Sequence, residues 1–295
     1  MVSAGNNDGL AKKDRRDAAR EKARQDREAE RKRQRRNRYF WQGGIGLAVI
    51  AIAAIVVLVV VNAPKPAALS KSTAGPQNMI SDGILLTGAN LNAVSTAGIP
   101  ANGKPVPTDQ SKYSSTVNIT TYVDYQCPAC QAFEQTNSAQ IQQWVSSGLA
   151  TVEIHPIAIL DNSSQGNMYS TRAGNAAACV ANYDPKDYYA VNTAFYANQP
   201  AEGTNGATDK QILAVLKGAG VSSANITKCV TTQQFVSWET AATNRVLAGP
   251  LPNSSIAKLD HTPTVVVGGK EYTGSITDAA AFATFVQQAG TGKGK

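Results

Sequence analysis

Cys127 and Cys130 stand two residues apart in the run Asp124-Tyr125-Gln126-Cys127-Pro128-Ala129-Cys130. Thr116 to Val123, just before it, has the β-branched and aromatic content of a strand, and Phe133, Ile141, Trp144 and Val145 follow near helical spacing. The pair is therefore expected in the first turn of a helix, where unpaired N–H groups and partial positive charge stabilise a thiolate. The N-terminal cysteine faces that field more fully. Cys127 is expected to be the nucleophile with a lowered pKa and Cys130 its resolving partner, with Pro128 suited to the first helical turn. Half of a zinc site is the alternative, but the other two cysteines, Cys179 and Cys229, lie 50 residues apart rather than forming a second close pair. Asp124 either caps the turn before Cys127 or supplies an acid beside the thiols, and the residues leave both readings open. Two histidines, His155 and His261, could assist proton transfer. A histidine before a proline or in a strand is more often structural, and His261 is the better candidate because it adjoins Thr262.

Around the cysteine pair the chain reads as strand, helix, strand, with Thr151 to Ile159 as the second strand. About eighty residues of helical pattern follow. They comprise RAGNAAACVANY, DYYAVNTAFYAN, TDKQILAVLKG and NITKCVTTQQFVSWETAATNRVLAG, and Thr208 and Gln211 have capping-box spacing. His261-Thr262-Pro263 then leads into two short strands around Gly268-Gly269, and TDAAAFATFVQQAG forms a last helix. This order implies a mixed α/β sheet covered on both faces, with the helical block as one insertion.

With 295 residues, 42% hydrophobic and 17% charged, the chain has material for a real core, which excludes collagen-like and wholly disordered classes. Its net charge of +7 belongs to one end: residues 1–39 hold 14 of the 28 Lys and Arg and 7 of the 21 Asp and Glu. The rest is balanced, so no basic domain face for nucleic acid is expected. Gly43 to Val61 is a run of 19 residues without a charge, about 28 Å as a helix against a hydrocarbon core of roughly 30 Å. Residues 39–62 are accordingly expected to cross a membrane once, with the basic arm 1–38 cytoplasmic and the remainder outside. A cleaved signal peptide ending near Val61-Asn62-Ala63 is the alternative, but its apolar core would be shorter and its charged region would not be a 38-residue arm. Residues 63–111 read as an exported linker with a short strand near Ile84.

VDYQCPACQAF followed, beyond the helical block, by HTPTVVVGG resembles the DsbA-like branch of the thioredoxin fold, in its membrane-anchored actinobacterial form. The resemblance covers residues 112–290. It implies an α/β, thioredoxin-like fold with an inserted helical domain at about 165–248 and a short tail at 291–295, preceded by the single N-terminal transmembrane helix. By the resemblance, Pro263 is a cis proline beside the reactive cysteine, and Thr262 lines the thiol. The residues alone favour a trans proline at a strand's first position. Two positions depart from the family pattern: Ala129 stands where oxidases of this type commonly carry His, and Thr121 stands where related proteins bury an acid. Similar proteins carry a second cysteine pair at comparable spacing, so the resemblance implies a structural Cys179–Cys229 disulfide, with buried free thiols as the alternative.

The activity implied is thiol–disulfide oxidoreduction, forming disulfides in reduced exported polypeptides through Cys127 and Cys130, with no cofactor and no metal. A quinone-linked membrane oxidant of the VKOR or DsbB type is the implied electron acceptor. Disulfide isomerase, reductase of an exported pathway, and a non-catalytic chaperone or binding module on the same fold are the alternatives. Because Ala129 cannot donate a hydrogen bond to the thiolate, a potential between about −270 mV, as in thioredoxin, and about −120 mV, as in DsbA, is expected.

Overall fold

Asn118, Thr120 and Tyr122 alternate with Ile119, Thr121 and Val123, so one strand carries a polar row and an apolar row on opposite faces. The computed structural model describes residues 74–291. In chain order they form β1 (Ile84–Thr87), β2 (Asn92–Ala93), β3 (Val117–Val123), α1 (Pro128–Ser146), β4 (Ala150–Pro156), α2 (Tyr169–Tyr183), α3 (Tyr188–Ala197), α4 (Asp209–Gly218), α5 (Ala224–Thr231), α6 (Val236–Ala248), β5 (Thr264–Val267), β6 (Lys270–Glu271) and α7 (Ala279–Thr291). The strands make one sheet in the order β2-β1-β4-β3-β5-β6, in which β3 and β4 run parallel and the other pairs antiparallel. Register pairs Asn118 with Thr151, Thr120 with Glu153 and Tyr122 with His155, so the polar rows of the two central strands coincide. Helices α1 and α7 pack on the sheet, where Phe282 meets Phe133 at 5.3 Å and Tyr272 at 5.1 Å between ring centres.

The polar row is buried, and the N-terminal segment is what buries it. Ser81 and Thr108 both donate to the Glu153 carboxylate, at 2.5 and 2.7 Å, and His155 stacks on Tyr122 at 4.5 Å. Gly83 is required there, since a Cβ would lie 2.5 Å from the His155 ring. From residue 74 onward the segment read as a linker is thus part of the folded domain. Met79, Ile84, Leu86, Leu91 and Ile99 lie in the core, and Asp82 accepts two hydrogen bonds from Arg245 and one from Trp238 of α6. These partners are 156 and 163 residues distant in sequence, beyond any local pattern. The arm at 1–38 and the transmembrane helix expected at 39–62 lie outside the described residues. Among the described residues no helix is long and apolar enough to cross a membrane.

The helical block is α2 to α6, built around α2, whose buried Ala and Gly residues let neighbours approach closely. A Cβ on Gly174 would fall 2.5 Å from the Glu239 carboxyl carbon of α6. Thr208 and Gln211 form the capping box of α4. The last helical run is two helices, because Gln233 adopts φ +51° and the Phe235 N–H turns to the Asn175 side chain at 2.8 Å. Cys179 of α2 and Cys229 of α5 are joined by a disulfide. The block is fastened to α1 by a buried polar chain: Asn192 of α3 donates to Glu134 at 2.7 Å and accepts from the Tyr125 hydroxyl at 3.1 Å. Burial pushes the Glu134 carboxyl up to about 7, opposed by the Asn192 hydrogen bond.

Two outcomes follow from this interior. Replacing Cys179 and Cys229 together by Ala should lower stability by about 2–4 kcal/mol in denaturant unfolding, because the bridge closes a loop of about 50 residues in the unfolded chain. An unchanged midpoint would mean the bridge contributes nothing. Glu134 is raised in the folded state, so its contribution to stability is full below the unfolded carboxyl pKa and is lost as pH rises to about 7. Burial also raises Asp124, Asp161 and Glu239, in the same direction. The melting temperature should therefore fall between pH 5 and pH 8, and Glu134→Gln should flatten that fall, removing about 3 kcal/mol at roughly 1.4 kcal/mol per pKa unit. A melting temperature that rises with pH in wild type would contradict it.

Candidate active site

Strand β3 ends at Val123, and the next residue organises the turn. Asp124 is fully buried, and its carboxylate accepts hydrogen bonds from the Gln126 N–H at 2.8 Å, the Ser170 hydroxyl at 2.7 Å, and the N–H groups of Ile159 and Leu160 at 2.9 and 3.0 Å. Its own carbonyl accepts the Cys127 N–H at 3.0 Å. The two readings of Asp124 as a turn cap and as a buried acid therefore describe one side chain. Burial raises its carboxyl to about 6, against the pull of the hydrogen bonds from Gln126, Ser170 and Leu160. The same carboxylate stops β4 short of the strand read to Ile159, because Ile159 and Leu160 turn their N–H groups to it rather than continuing the ladder.

Cys127 is the N-cap residue of α1, with Pro128 at its first position and no side-chain oxygen capping the exposed N–H groups. Its sulfur faces Thr262, 3.4 Å from that residue's carbonyl oxygen, and the Thr262–Pro263 peptide is cis. A second cis peptide, Gly249–Pro250, was not foreseen from the residues. Both thiols are free and buried. The hydrogen bond from the Cys130 side chain holds the Cys127 thiol below the usual range, against burial, with Thr262 and the Cys130 N–H helping. Burial and the same thiol contact push Cys130 well above it. Asp124 acts on both thiols in the opposite sense to the helix terminus, since its negative charge disfavours either thiolate.

The fold thus brings Asp124, Cys127, Pro128, Ala129, Cys130, Thr262 and Pro263 to one place. His261 adjoins the site in sequence, but its ring is held by Asp260 at 2.6 Å and lies 3.5 Å from Glu271. His155 belongs to the buried polar row of the sheet, 3.5 Å from Glu153. Residues that sequence reading passed over include Gln126, Glu134, Ser170, Asn192 and Gln199. Gln199 donates to the carbonyls of both Tyr125 and Cys127 at 3.0 Å, across more than seventy residues of chain, and only its place at the end of a helical pattern before Pro200 marked it. Among the described residues no group of three or more His, Cys, Asp or Glu side chains is arranged to hold a metal ion.

A family model described as thioredoxin matches residues 112–287. The structure is similar to that of oxidised DsbA from Mycobacterium tuberculosis, with a TM-score of 0.51 and 25% identity over 70% of this chain and 92% of that one. It is also similar to the reduced disulfide bond oxidoreductase DsbG of M. tuberculosis, at 27% identity and a TM-score of 0.49, covering 59% of this chain and 77% of that one. Among curated proteins, the serine/threonine-protein kinase PknE of M. tuberculosis is 30% identical over 129 residues, 42% of this chain and 23% of the kinase. The chain therefore spans under a quarter of the length of the curated relatives it matches. The family match takes in both thiols, the helical block and the turn at Pro263, and this chain belongs to the thioredoxin family.

Proposed function

We propose that this oxidoreductase is a membrane-anchored oxidase that forms disulfides in exported polypeptides, with Cys127 as the attacking and attacked sulfur. The observation that carries the reading is the placement of the two thiols, with Cys127 capping α1 beside the cis Thr262–Pro263 peptide and Cys130 buried in the first turn. Cys127 is lowered at a helix start beside Thr262, and Cys130 is raised behind it. In the oxidised enzyme a substrate thiolate attacks the Cys127 sulfur, the Cys127–Cys130 bond breaks, and Cys130 leaves with the electron pair and takes a proton. A second substrate thiolate then attacks the substrate sulfur of the mixed disulfide, and Cys127 leaves as the stabilised thiolate. The substrate loses two electrons and the enzyme gains them. A quinone-linked membrane oxidant of the VKOR or DsbB type then returns the pair to the disulfide.

The anchor is supported by the uncharged run from Gly43 to Val61 behind a basic arm, a pattern that favours residues 1–38 in the cytoplasm with the thiols outside. Thr262 before the cis proline favours one other reading, a disulfide isomerase, since that residue also resembles the isomerase branch. Isomerases of that type carry a dimerisation domain ahead of the catalytic one. Residues 84–93 here pair within the catalytic sheet, where β1 lies directly against β4, so they do not form a separate domain ahead of it.

In the reduced protein, alkylation at mildly acidic pH should label Cys127 far ahead of Cys130. Cys127→Ser should abolish oxidative refolding of a reduced multi-cysteine substrate, whereas Cys130→Ser should accumulate mixed disulfides visible on non-reducing gels. Equal labelling of the two thiols, or mixed disulfides trapped on Cys130 in Cys127→Ser, would reverse the assignment. Failure to oxidise the reduced substrate, with scrambled disulfides nevertheless corrected, would give the isomerase reading instead.

A further inference from the structure

Cys127 has no solvent-exposed surface, although the reaction requires it to meet the sulfur of another polypeptide. The connection between α3 and α4 lies against its turn. This stretch, Gln199-Pro200-Ala201-Glu202-Gly203-Thr204-Asn205-Gly206, contains no large apolar side chain, and Ala201 and Gly203 to Asn205 are exposed. Hydrogen bonds hold it down at two ends. At one end the Gln199 amide donates to the carbonyls of Tyr125 and Cys127, both at 3.0 Å. At the other, the Gly203 N–H donates to the Ser163 carbonyl at 2.8 Å, Ser163 donates to the Glu202 carboxylate at 3.1 Å, Gln165 donates to the Gly203 carbonyl at 2.6 Å, and Asn167 donates to the Asn205 carbonyl. Gln126, itself buried, ties that second anchor back to the thiol turn through the same Ser163 carbonyl at 3.1 Å. Gly203 and Gly206 sit at φ +80° and +66°, and Gln165 and Met168 opposite them adopt φ +51° and +55°, a left-handed backbone that non-glycine residues enter only when their surroundings impose it.

We infer that Gln199 is the latch of a strap, residues 199–206, which closes over Cys127 and which a polypeptide substrate must lift to reach the thiol. The strap has the properties of a segment that opens locally while the rest of the domain stays folded: few apolar contacts, hydrogen bonds that water can replace, and glycines near its far end. An extended polypeptide carries amide N–H donors of the same kind as the Gln199 amide, so it can take over the Tyr125 carbonyl as the latch withdraws. Gln199 is in these terms a positioning residue that controls which molecules reach the sulfur. This inference rests on Cys127 being the attacking thiol.

The test uses the reduced full chain and two alkylating probes with the same reactive group, iodoacetamide and an iodoacetyl group carried on a bulky polyethylene glycol. The Cys127 rate is followed against pH, and the labelled residue is identified by peptide mass. In wild type the bulky probe should lag behind the small one by more than it does on the denatured protein. Gln199→Ala should raise the bulky-probe rate about fivefold or more, the factor expected from losing one to two net hydrogen bonds, without moving the pH midpoint. Gln165→Ala, which loosens the opposite anchor and touches neither carbonyl of the thiol turn, should act in the same direction. Unchanged bulky-probe rates in both variants would overturn the latch. A rise accompanied by a shifted pH midpoint would also overturn it, since Gln199 would then be acting on the thiolate through the Cys127 carbonyl. Labelling of Cys130 ahead of Cys127 would show that the assignment of the attacking thiol had failed, and the latch with it.

Discussion

Four hydrogen bonds converge on the carboxylate of Asp124, and the arrangement of the site depends on them. They come from the thiol turn, the end of β4 and the first turn of α2. A carboxylate taken fully out of water without a cation beside it is costly, and its donors make that burial tolerable. In return it fixes where β3 stops, where β4 turns away, and how the helical block sits against the thiols. Its charge also opposes the thiolate it positions. Cys127 is thus set between two electrostatic influences, the N-terminus of α1 and its thiol and Thr262 contacts on one side, and Asp124 on the other.

A second constraint lies across the sheet. The central strands carry a buried polar row on one face, and the Glu153 carboxylate in it needs donors from outside the sheet. Residues 74–113 supply Ser81 and Thr108 to Glu153 and Gly83 beneath His155, and Asp82 then locks the segment to Arg245 and Trp238 of α6. Sheet and helical block are therefore fastened twice, by Asp124 beside the thiols and by Asp82 just ahead of β1.

How much of this was legible in the sequence depended on the range of each interaction. The helix start at Cys127, the capping box at Thr208 and Gln211, and the hairpin at Gly268-Gly269 are local patterns, and the structure has them where the residues point. The family resemblance led to a cis Pro263, which residue statistics alone would have missed, because trans is the default. What stayed hidden is long-range: Asp82 with Arg245, Gln199 with Cys127, Glu134 with Asn192, and the early end of β4. Residues 74–77 belong to a stretch whose Pro, Ala and Ser read as a spacer, and residues 95–110 to one whose Gly and Pro read as a loop, and the partners that order them lie far along the chain.

The balance at Cys127 sets the direction of electron flow, because each increment of thiolate stabilisation in the reduced enzyme makes the disulfide a stronger oxidant. Ala129 offers the thiolate no side-chain donor and Asp124 opposes it, whereas the helix terminus, Cys130 and Thr262 favour it. With these opposed influences, a potential between those of the reducing and the strongly oxidising members of the fold is the expected outcome. The direct measurement is the equilibrium potential of the Cys127–Cys130 pair against glutathione, with the Cys179–Cys229 bridge intact. A value between about −270 and about −120 mV, clear of the lower limit, is predicted for a mild oxidase. A value at or below about −270 mV would contradict the account and make the protein a reductant.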